Sequence, residues 1–401
     1  MHSTKQLTGI NLLILLALGG LLAGVAELPY GGWIQIPLLS IVWWRLCMGA
    51  HSTIKSFFYS GLVFGLGYFV VALWWLYISL HDVGGINSLF SCIAVLLLSA
   101  YVAIYFSLAT LAIRLFKSSR LTGLLLGASW VVMEFLRGYI FTGFPWMGFA
   151  EAQFNGPFAP IAPLLGGLAC TFLVMWTSWE IFQIRKHAVH SIIYIVCLIT
   201  ISQLAGLLSF TKPTGEPISV RLIQGNFEQR LKFDPLAINQ QIAFYTSEIK
   251  KGVADLIVIP ETAFPWPQDN LPAGLLNYLQ DYANASSSNL LIGLIGQVPG
   301  DKAMLYSNRA TGLSPNASPY SYDKFHLVPF GEFIPPGFYW FVNAFHVPMS
   351  DFARGDLNQP PFKIVRDNQV DVYAAITICY EDIFGGELAT RINDSNKPVN
   401  L

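Results

Sequence analysis

Three side chains in the second half of the chain could carry chemistry. Glu261 follows Leu256-Ile257-Val258-Ile259-Pro260, so a buried strand delivers a carboxylate to its carboxyl end, where open α/β sheets place their sites. A solvated loop residue would fit the same position. Lys324 lies in the segment 322–332, flanked by Tyr322 and Phe325 and close in sequence to Asp323 and Glu332. An ammonium held this way can face a developing oxyanion once water is excluded, although a surface ion pair with Asp323 or Glu332 reads equally well. Cys379 ends the run Val372-Tyr373-Ala374-Ala375-Ile376-Thr377-Ile378 and precedes Tyr380-Glu381-Asp382. Of five cysteines, Cys47, Cys92, Cys170 and Cys197 fall in apolar runs and read as small buried hydrophobes, which leaves Cys379 alone in the second half.

A nucleophilic thiol needs a base. His326 is one candidate and Glu261 the other. The carboxylate is preferred because it stands at a strand end and burial can raise its pKa toward the working pH. Zinc is set aside, since no second cysteine lies near Cys379 and His326 and His346 lack ligand spacing. No glycine-rich phosphate loop of either common pattern is present, and no cofactor is implied.

The elements that carry these residues differ along the chain. Of 401 residues, 54% are hydrophobic and 12% charged, about half the charge of an ordinary soluble domain. The net charge of -1 offers nothing to attract a polyanion, so nucleic acid is excluded as a partner. The sparse charge is concentrated unevenly: residues 1–210 hold 9 Lys+Arg and 5 Asp+Glu, and the remainder holds 14 and 19.

About seven apolar runs fill the first part, at 7–26, 33–50, 57–80, 86–116, 121–137, 161–183 and 191–210, each near the ~20 residues that cross a hydrocarbon core. Lys5, Arg45, Lys55, Arg114, Lys117, Arg120, Arg185 and Lys186 all lie at the N-terminus or at even-numbered turns. Basic residues in short loops stay cytoplasmic, so the N-terminus is inside and everything after Phe210 is exported. The first run also fits a cleaved leader ending in Gly24-Val25-Ala26, which leaves the exported location unchanged. That location makes an unpaired thiol unusual, either reactive or buried and inert.

Arg45, Glu134, Arg137 and Glu180 sit near the ends of runs and read as snorkelling side chains. Trp43-Trp44 and Trp74-Trp75 read as interfacial belts. The segment 138–160 is broken by glycine and proline and is placed in the outer interface, where Phe144 and Trp146 either anchor the chain or line a lipid path.

From residue 217 onward, strand-like runs at 218–224, 255–260, 289–296 and 372–379 alternate with helical patterns at 235–251 and 271–285. The expected architecture is therefore a helical membrane domain over 1–210 followed by an α/β layered domain over 211–401.

Taken together, the order Glu261, Lys324, Cys379 resembles the Glu-Lys-Cys triad of the nitrilase superfamily, the carbon-nitrogen hydrolases. With a multi-helix membrane domain in front, the chain resembles the apolipoprotein N-acyltransferase family of that superfamily. The segments that carry the likeness are 79–85, 142–146, 224–226, 259–263, 324–332, 348–350 and 378–381. The resemblance implies an αββα sandwich for the second domain. It also implies a multi-pass bacterial inner-membrane protein with a periplasmic catalytic domain, and transfer of an acyl chain from a phospholipid, through a Cys379 thioester, to the N-terminal amine of a diacylglyceryl apolipoprotein. Glu261 would be the base, Lys324 the oxyanion stabiliser, Glu332 and Glu381 supporting carboxylates with Tyr380 beside them, and Phe144, Trp146 and Phe233 lipid or substrate contacts. Phe233 stands where the family commonly has Trp. The chain ends at 398–401, at what resembles the start of a family strand, so a domain incomplete at its C-terminus is expected. The alternatives are a membrane-tethered amidase using water as acceptor, and a truncated remnant or lipid-binding scaffold without activity.

Overall fold

The computed structural model describes residues 2–48, 53–116, 120–209, 211–213, 215–232, 234–300, 304–337, 339, 351–367 and 369–401. The chain divides into two compact units, Met1–Pro213 and Thr214–Leu401.

The first unit is helical: α1 (His2–Ala26), α2 (Gly31–Met48), α3 (Ile54–Ala72), α4 (Trp75–Ile78), α5 (Ser88–Leu115), α6 (Thr122–Arg137) and α7 (Ala162–Ala205). Helix starts follow side-chain capping where it is available. Thr53 accepts from the Ser56 amide at 3.2 Å and Asn87 from the Leu89 amide at 2.9 Å, each satisfying an amide that the first turn leaves free. α1 and α3 approach through small residues, since a Cβ on Gly67 would lie 2.0 Å from the Leu16 carbonyl oxygen, the kind of contact that helices in lipid depend on. At the centre, Phe106 packs on Phe69 and Trp130 with ring centroids 4.7 Å apart in both cases.

Among the described residues, four helices are long and apolar enough to cross a membrane: Gly9–Ala26, Ile54–Ala72, Ser88–Leu115 and Ala159–Ala205. The seven apolar runs do not each correspond to one continuous α-helix, and they differ in two places. The run 57–80 ends as α-helix at Ala72 and continues as α4 and a π turn, Ser79–Val83. The runs 161–183 and 191–210 join in α7, whose 44 residues would extend about 66 Å if straight. It is not straight. The backbone leaves helical geometry at His187 (φ -140°, ψ 48°), and Ser191 donates to Glu180 Oε2 at 3.0 Å, a contact that residues eleven apart on one straight helix cannot make. Trp176 and Tyr194 meet with ring centroids 6.1 Å apart. α7 is a hairpin of two antiparallel limbs.

Several polar and aromatic residues also lie elsewhere than expected. Glu134, Arg137 and Glu180 do not snorkel; they are buried in the bundle. Arg137 donates to the carbonyls of Trp146 and Pro145 at 2.5 and 3.1 Å, and Glu134 Oε1 accepts from the Phe149 amide at 3.3 Å. These bonds fix the 138–160 segment, which is a series of short 3-10 turns. Trp43 is core, with its indole N–H bonded to Ser178 Oγ at 2.8 Å, whereas Trp44, Trp74 and Trp75 are exposed. Cys170 is buried, but Cys92 and Cys197 lie on the outer surface of their apolar helices.

The second unit is built on a mixed sheet. Strands β1 (Val220–Leu222), β2 (Leu256–Val258) and β4 (Asn289–Pro299) run parallel, with β3 (Phe264–Pro267) also parallel to β4. β5 (Met304–Leu313) and β6 (Tyr320–Asp323) then add antiparallel. β7 (Phe362–Ile364) and β8 (Val372–Ala374) form a separate antiparallel pair. The period-2 alternation of the β2 and β4 runs sorts side chains to two faces. Ile257, Ile259, Leu290, Ile292 and Leu294 pack under α8 (Pro235–Ile249) and α9 (Leu275–Ser286). Leu256, Val258 and Leu291 face Phe362, Ile364, Ala374 and Ile376 on the β7–β8 side. The layers are therefore helix, sheet and sheet, with α10 (Gly385–Asn393) after the Cys379 turn.

Candidate active site

Each chemical residue stands just past a strand of the second unit. Ile259 extends the β2 pairing by donating to the Leu291 carbonyl at 3.0 Å, after which the chain turns at Pro260 and Glu261. This turn lies directly on β4. A Cβ at Gly293 would come within 2.2 Å of the Pro260 oxygen and 2.7 Å of Glu261 Cα, so only glycine allows the carboxylate to sit this close to the sheet. Lys324 follows β6, its amide bonded to the Asn308 carbonyl at 2.8 Å. Cys379 follows β8 and opens a 3-10 turn over Cys379–Ile383 with φ +53°. For a side chain this left-handed backbone costs about 1–2 kcal/mol, and it turns the thiol out of the strand direction.

The three side chains meet. Lys324 is wholly buried, and its Nζ stands 2.9 Å from Glu332 Oε2 and 3.5 Å from Glu261 Oε1. Asn308 Nδ2 ties the two carboxylates together, donating to Glu261 Oε1 at 2.5 Å and Glu332 Oε1 at 2.7 Å. The Cys379 thiol is exposed beside this cluster and feels the charges of Glu261, Lys324 and Glu332. Surrounding protein pushes the thiol above the usual cysteine range and the Glu261 charge adds to this, while the Lys324 ammonium works in the opposite direction. Burial alone would depress the Lys324 ammonium, but the Glu332 and Glu261 carboxylates hold it above the ordinary lysine value. It therefore stays a cation.

The supporting residues have separate tasks. Glu332 Oε2 also accepts from the Val328 amide at 2.8 Å, which fixes the loop that carries it. Glu381 is buried and joins two loops: Oε2 accepts from the Ile378 amide at 2.8 Å, and Oε1 from the Phe325 and His326 amides at 2.8 and 3.3 Å. Tyr380 is buried behind the thiol, edge-on to Phe384 at 5.0 Å and to His326 at 5.4 Å. His326, the alternative base, stacks on Phe384 at 3.6 Å and bonds Glu387 at 2.9 Å, and it is not among the groups whose charge acts on the thiol.

The first unit matches the family model described as the apolipoprotein N-acyltransferase N-terminal domain over residues 19–179. Over nearly its whole length the chain is similar to curated relatives of the same name. The protein from Ralstonia nicotianae is 35% identical over 96% of this chain and 74% of its own length. Those from Chromobacterium violaceum and Nitrosomonas europaea are 34% and 33% identical over 96% and 92% of this chain and 74% and 73% of their own. The chain belongs to the apolipoprotein N-acyltransferase family.

As an apolipoprotein N-acyltransferase family member it is an integral membrane acyltransferase of lipoprotein synthesis. Two members of the polar cluster gave no signal in the sequence. Asn308 lies inside β5, whose broken apolar alternation left neither the strand nor the neighbours of this side chain legible. Lys232 precedes Phe233, which lies outside the described residues, as does the segment 340–350 that contains His346. Burial depresses the Lys232 ammonium, and the carboxylates of Glu261 and Glu332 act on it across the site. In the first unit Phe144 and Trp146 meet at 5.4 Å, and Trp146 lies edge-on to Trp75 at 5.3 Å.

Proposed function

We propose that the chain transfers a fatty acyl group from a membrane phospholipid to the N-terminal amine of a diacylglyceryl apolipoprotein, by a ping-pong reaction through a thioester on Cys379. The observation that carries this reading is the buried Lys324 ammonium between Glu261 and Glu332, with the exposed Cys379 thiol close enough to feel the charges of all three.

Glu261 takes the thiol proton as Cys379 Sγ attacks the ester carbonyl. The carbonyl oxygen becomes an oxyanion, which Lys324 stabilises from a position fixed before the reaction starts. The intermediate collapses by breaking the carbon–oxygen bond. The leaving lysophospholipid alkoxide takes the proton from Glu261, and the acyl group stays on sulfur. In the second half the apolipoprotein amine attacks the thioester, passes a proton to Glu261, and expels the thiolate, which Glu261 then reprotonates. Glu332, Glu381 and Tyr380 keep this geometry without exchanging protons. Both substrates are lipids, which accounts for joining such a site to membrane helices. Phe144 and Trp146 belong to the aromatic surface that receives acyl chains.

The layering of helices, a mixed sheet and a second sheet supports a nitrilase-like sandwich for the catalytic domain. The distribution of basic residues supports a cytoplasmic N-terminus, with residues 211–401 in the periplasm. The test separates the half-reactions. Purified protein in vesicles of acyl-labelled phosphatidylethanolamine is expected to release lysophospholipid before any acceptor is present, then to label the amine of a diacylglyceryl lipopeptide. Lysophospholipid release that requires the lipopeptide would contradict the ping-pong order, and release of free fatty acid alone would favour water as acceptor.

A further inference from the structure

Glu381 holds both loops of the site, yet it is a buried carboxylate with no direct ion pair among the described residues. Arg391, on α10, is likewise a buried cation with no direct ion pair among them, and its Nε has no hydrogen-bond partner there. A single hydroxyl connects the two. Arg391 Nη1 donates to the Tyr322 oxygen and, at 2.7 Å, to the Ile376 carbonyl. The Tyr322 O–H donates to Glu381 Oε1 at 2.7 Å. The guanidinium also lies over the Tyr322 ring, 5.3 Å from its centroid. Four donors thus converge on the Glu381 oxygens, from Tyr322, Phe325, His326 and Ile378, the complement that an ionised carboxylate accepts.

We infer that Arg391 is a positioning residue for the reaction at Cys379, acting on Glu381 through the Tyr322 hydroxyl. The inference rests on the reading of the site given above. An unbalanced buried carboxylate is costly, and Arg391 offsets Glu381 at the distance of one intervening oxygen. The direction of the chain matters. Because Tyr322 accepts from the arginine, its own proton is aimed at Glu381; because Glu381 is fixed there, its other oxygen holds the Ile378 amide that sets the strained backbone of Cys379. Oε1, the oxygen that accepts from Tyr322, also holds the two amides after Lys324. Nucleophile and oxyanion stabiliser are therefore kept in register by one charge, and that charge is kept in place from α10. The Ile376 carbonyl bond pins the guanidinium to the segment between β8 and Cys379, so the arginine holds that segment directly as well as through Glu381.

The experiment compares Tyr322→Phe, Arg391→Gln, Arg391→Lys and the Tyr322→Phe/Arg391→Gln double variant with wild type, each rate divided by the amount of alkylatable Cys379 so that misfolded protein does not count. Tyr322→Phe and Arg391→Gln are each expected to lower kcat by about 10- to 100-fold with KM changed by less than about twofold. Arg391→Lys, which still donates to Tyr322, is expected to recover most of the loss. The double variant is expected to be no slower than about twofold below the worse single, because both changes break one chain. Wild-type kcat in either single variant, no recovery in Arg391→Lys, or losses that multiply in the double would overturn the inference. If Arg391→Gln does not fold, Tyr322→Phe and Arg391→Lys still decide it. Should wild-type Cys379 itself take up no acyl group, the proposed function falls; should it acylate while all variants match it, only the role of Arg391 falls.

Discussion

At the residue scale, the site is a balance of one cation against two carboxylates, and each member's removal has a signed consequence. The Cys379 pKa is raised by the protein that displaces part of the water around the otherwise exposed thiol and by Glu261, and lowered by Lys324. A negative neighbour disfavours the thiolate, so Glu261→Gln is expected to shift the midpoint of Cys379 alkylation to lower pH while abolishing acyl transfer. Lys324→Met is expected to shift the midpoint to higher pH. Both midpoints come from iodoacetamide rates measured across pH, and shifts of the opposite sign would show that the charges are not arranged as described. Lys324→Met also leaves Glu261 and Glu332 facing each other around a buried apolar chain. Breaking a buried pair this way costs about 3–5 kcal/mol, which denaturation of the second unit would report. It is further expected to slow thioester formation about 100- to 1,000-fold. The residue types and their strand-end positions were legible in the sequence, because a Glu or Cys after an apolar run needs no partner to be noticed. Asn308, Lys232, Tyr322 and Arg391 were not, because a polar residue inside a strand or on a helix shows which face it occupies but not what it meets there.

At the element scale, the turns that present these residues depend on close backbone approach. Gly293→Ala places a methyl group 2.2 Å from the Pro260 oxygen, so the Glu261 turn must move; a loss of about 1–3 kcal/mol together with slower Cys379 acylation is expected. A variant with wild-type rate and stability would show that the turn is not seated on β4. In the first unit, Ser191 closes the α7 hairpin by donating to Glu180. Ser191→Ala leaves a buried carboxylate oxygen short of a donor, at about 1–3 kcal/mol, read as a lower unfolding temperature in detergent. The reversal at His187 was partly legible: Arg185-Lys186-His187 interrupts the apolar runs on either side. Burial of Glu134, Arg137 and Glu180 was not legible, because a charge near the end of an apolar run looks the same whether it points to water or inward. β5, β6 and β7 escaped notice for a related reason, since Asn308, Arg309, Gly312 and the prolines at 360 and 361 break the apolar alternation that marks a strand.

At the scale of the whole molecule, the two units make different demands on the same chain. The first spends its length on apolar helices, and the second is the more charged, with 33 Lys, Arg, Asp and Glu side chains in residues 211–401 against 14 in residues 1–210. The change in composition at residue 210 was visible in a simple count of charges. The proposed orientation predicts that a membrane-impermeant maleimide added from the periplasmic side modifies exposed Cys379, whereas a cysteine placed at Lys186, in the α7 bend, is modified only from the cytoplasmic side. Cys92 and Cys197, on the outer faces of apolar helices, are expected to resist a charged reagent from either side. The most direct measurement is mass spectrometry of the Cys379 peptide after the protein has been incubated with phospholipid vesicles and no acceptor. The account predicts that the peptide gains the mass of one fatty acyl chain, that neutral hydroxylamine removes it, and that Glu261→Gln prevents it. An unmodified Cys379 in folded, alkylatable wild-type protein, or an acyl group on another residue, would contradict it.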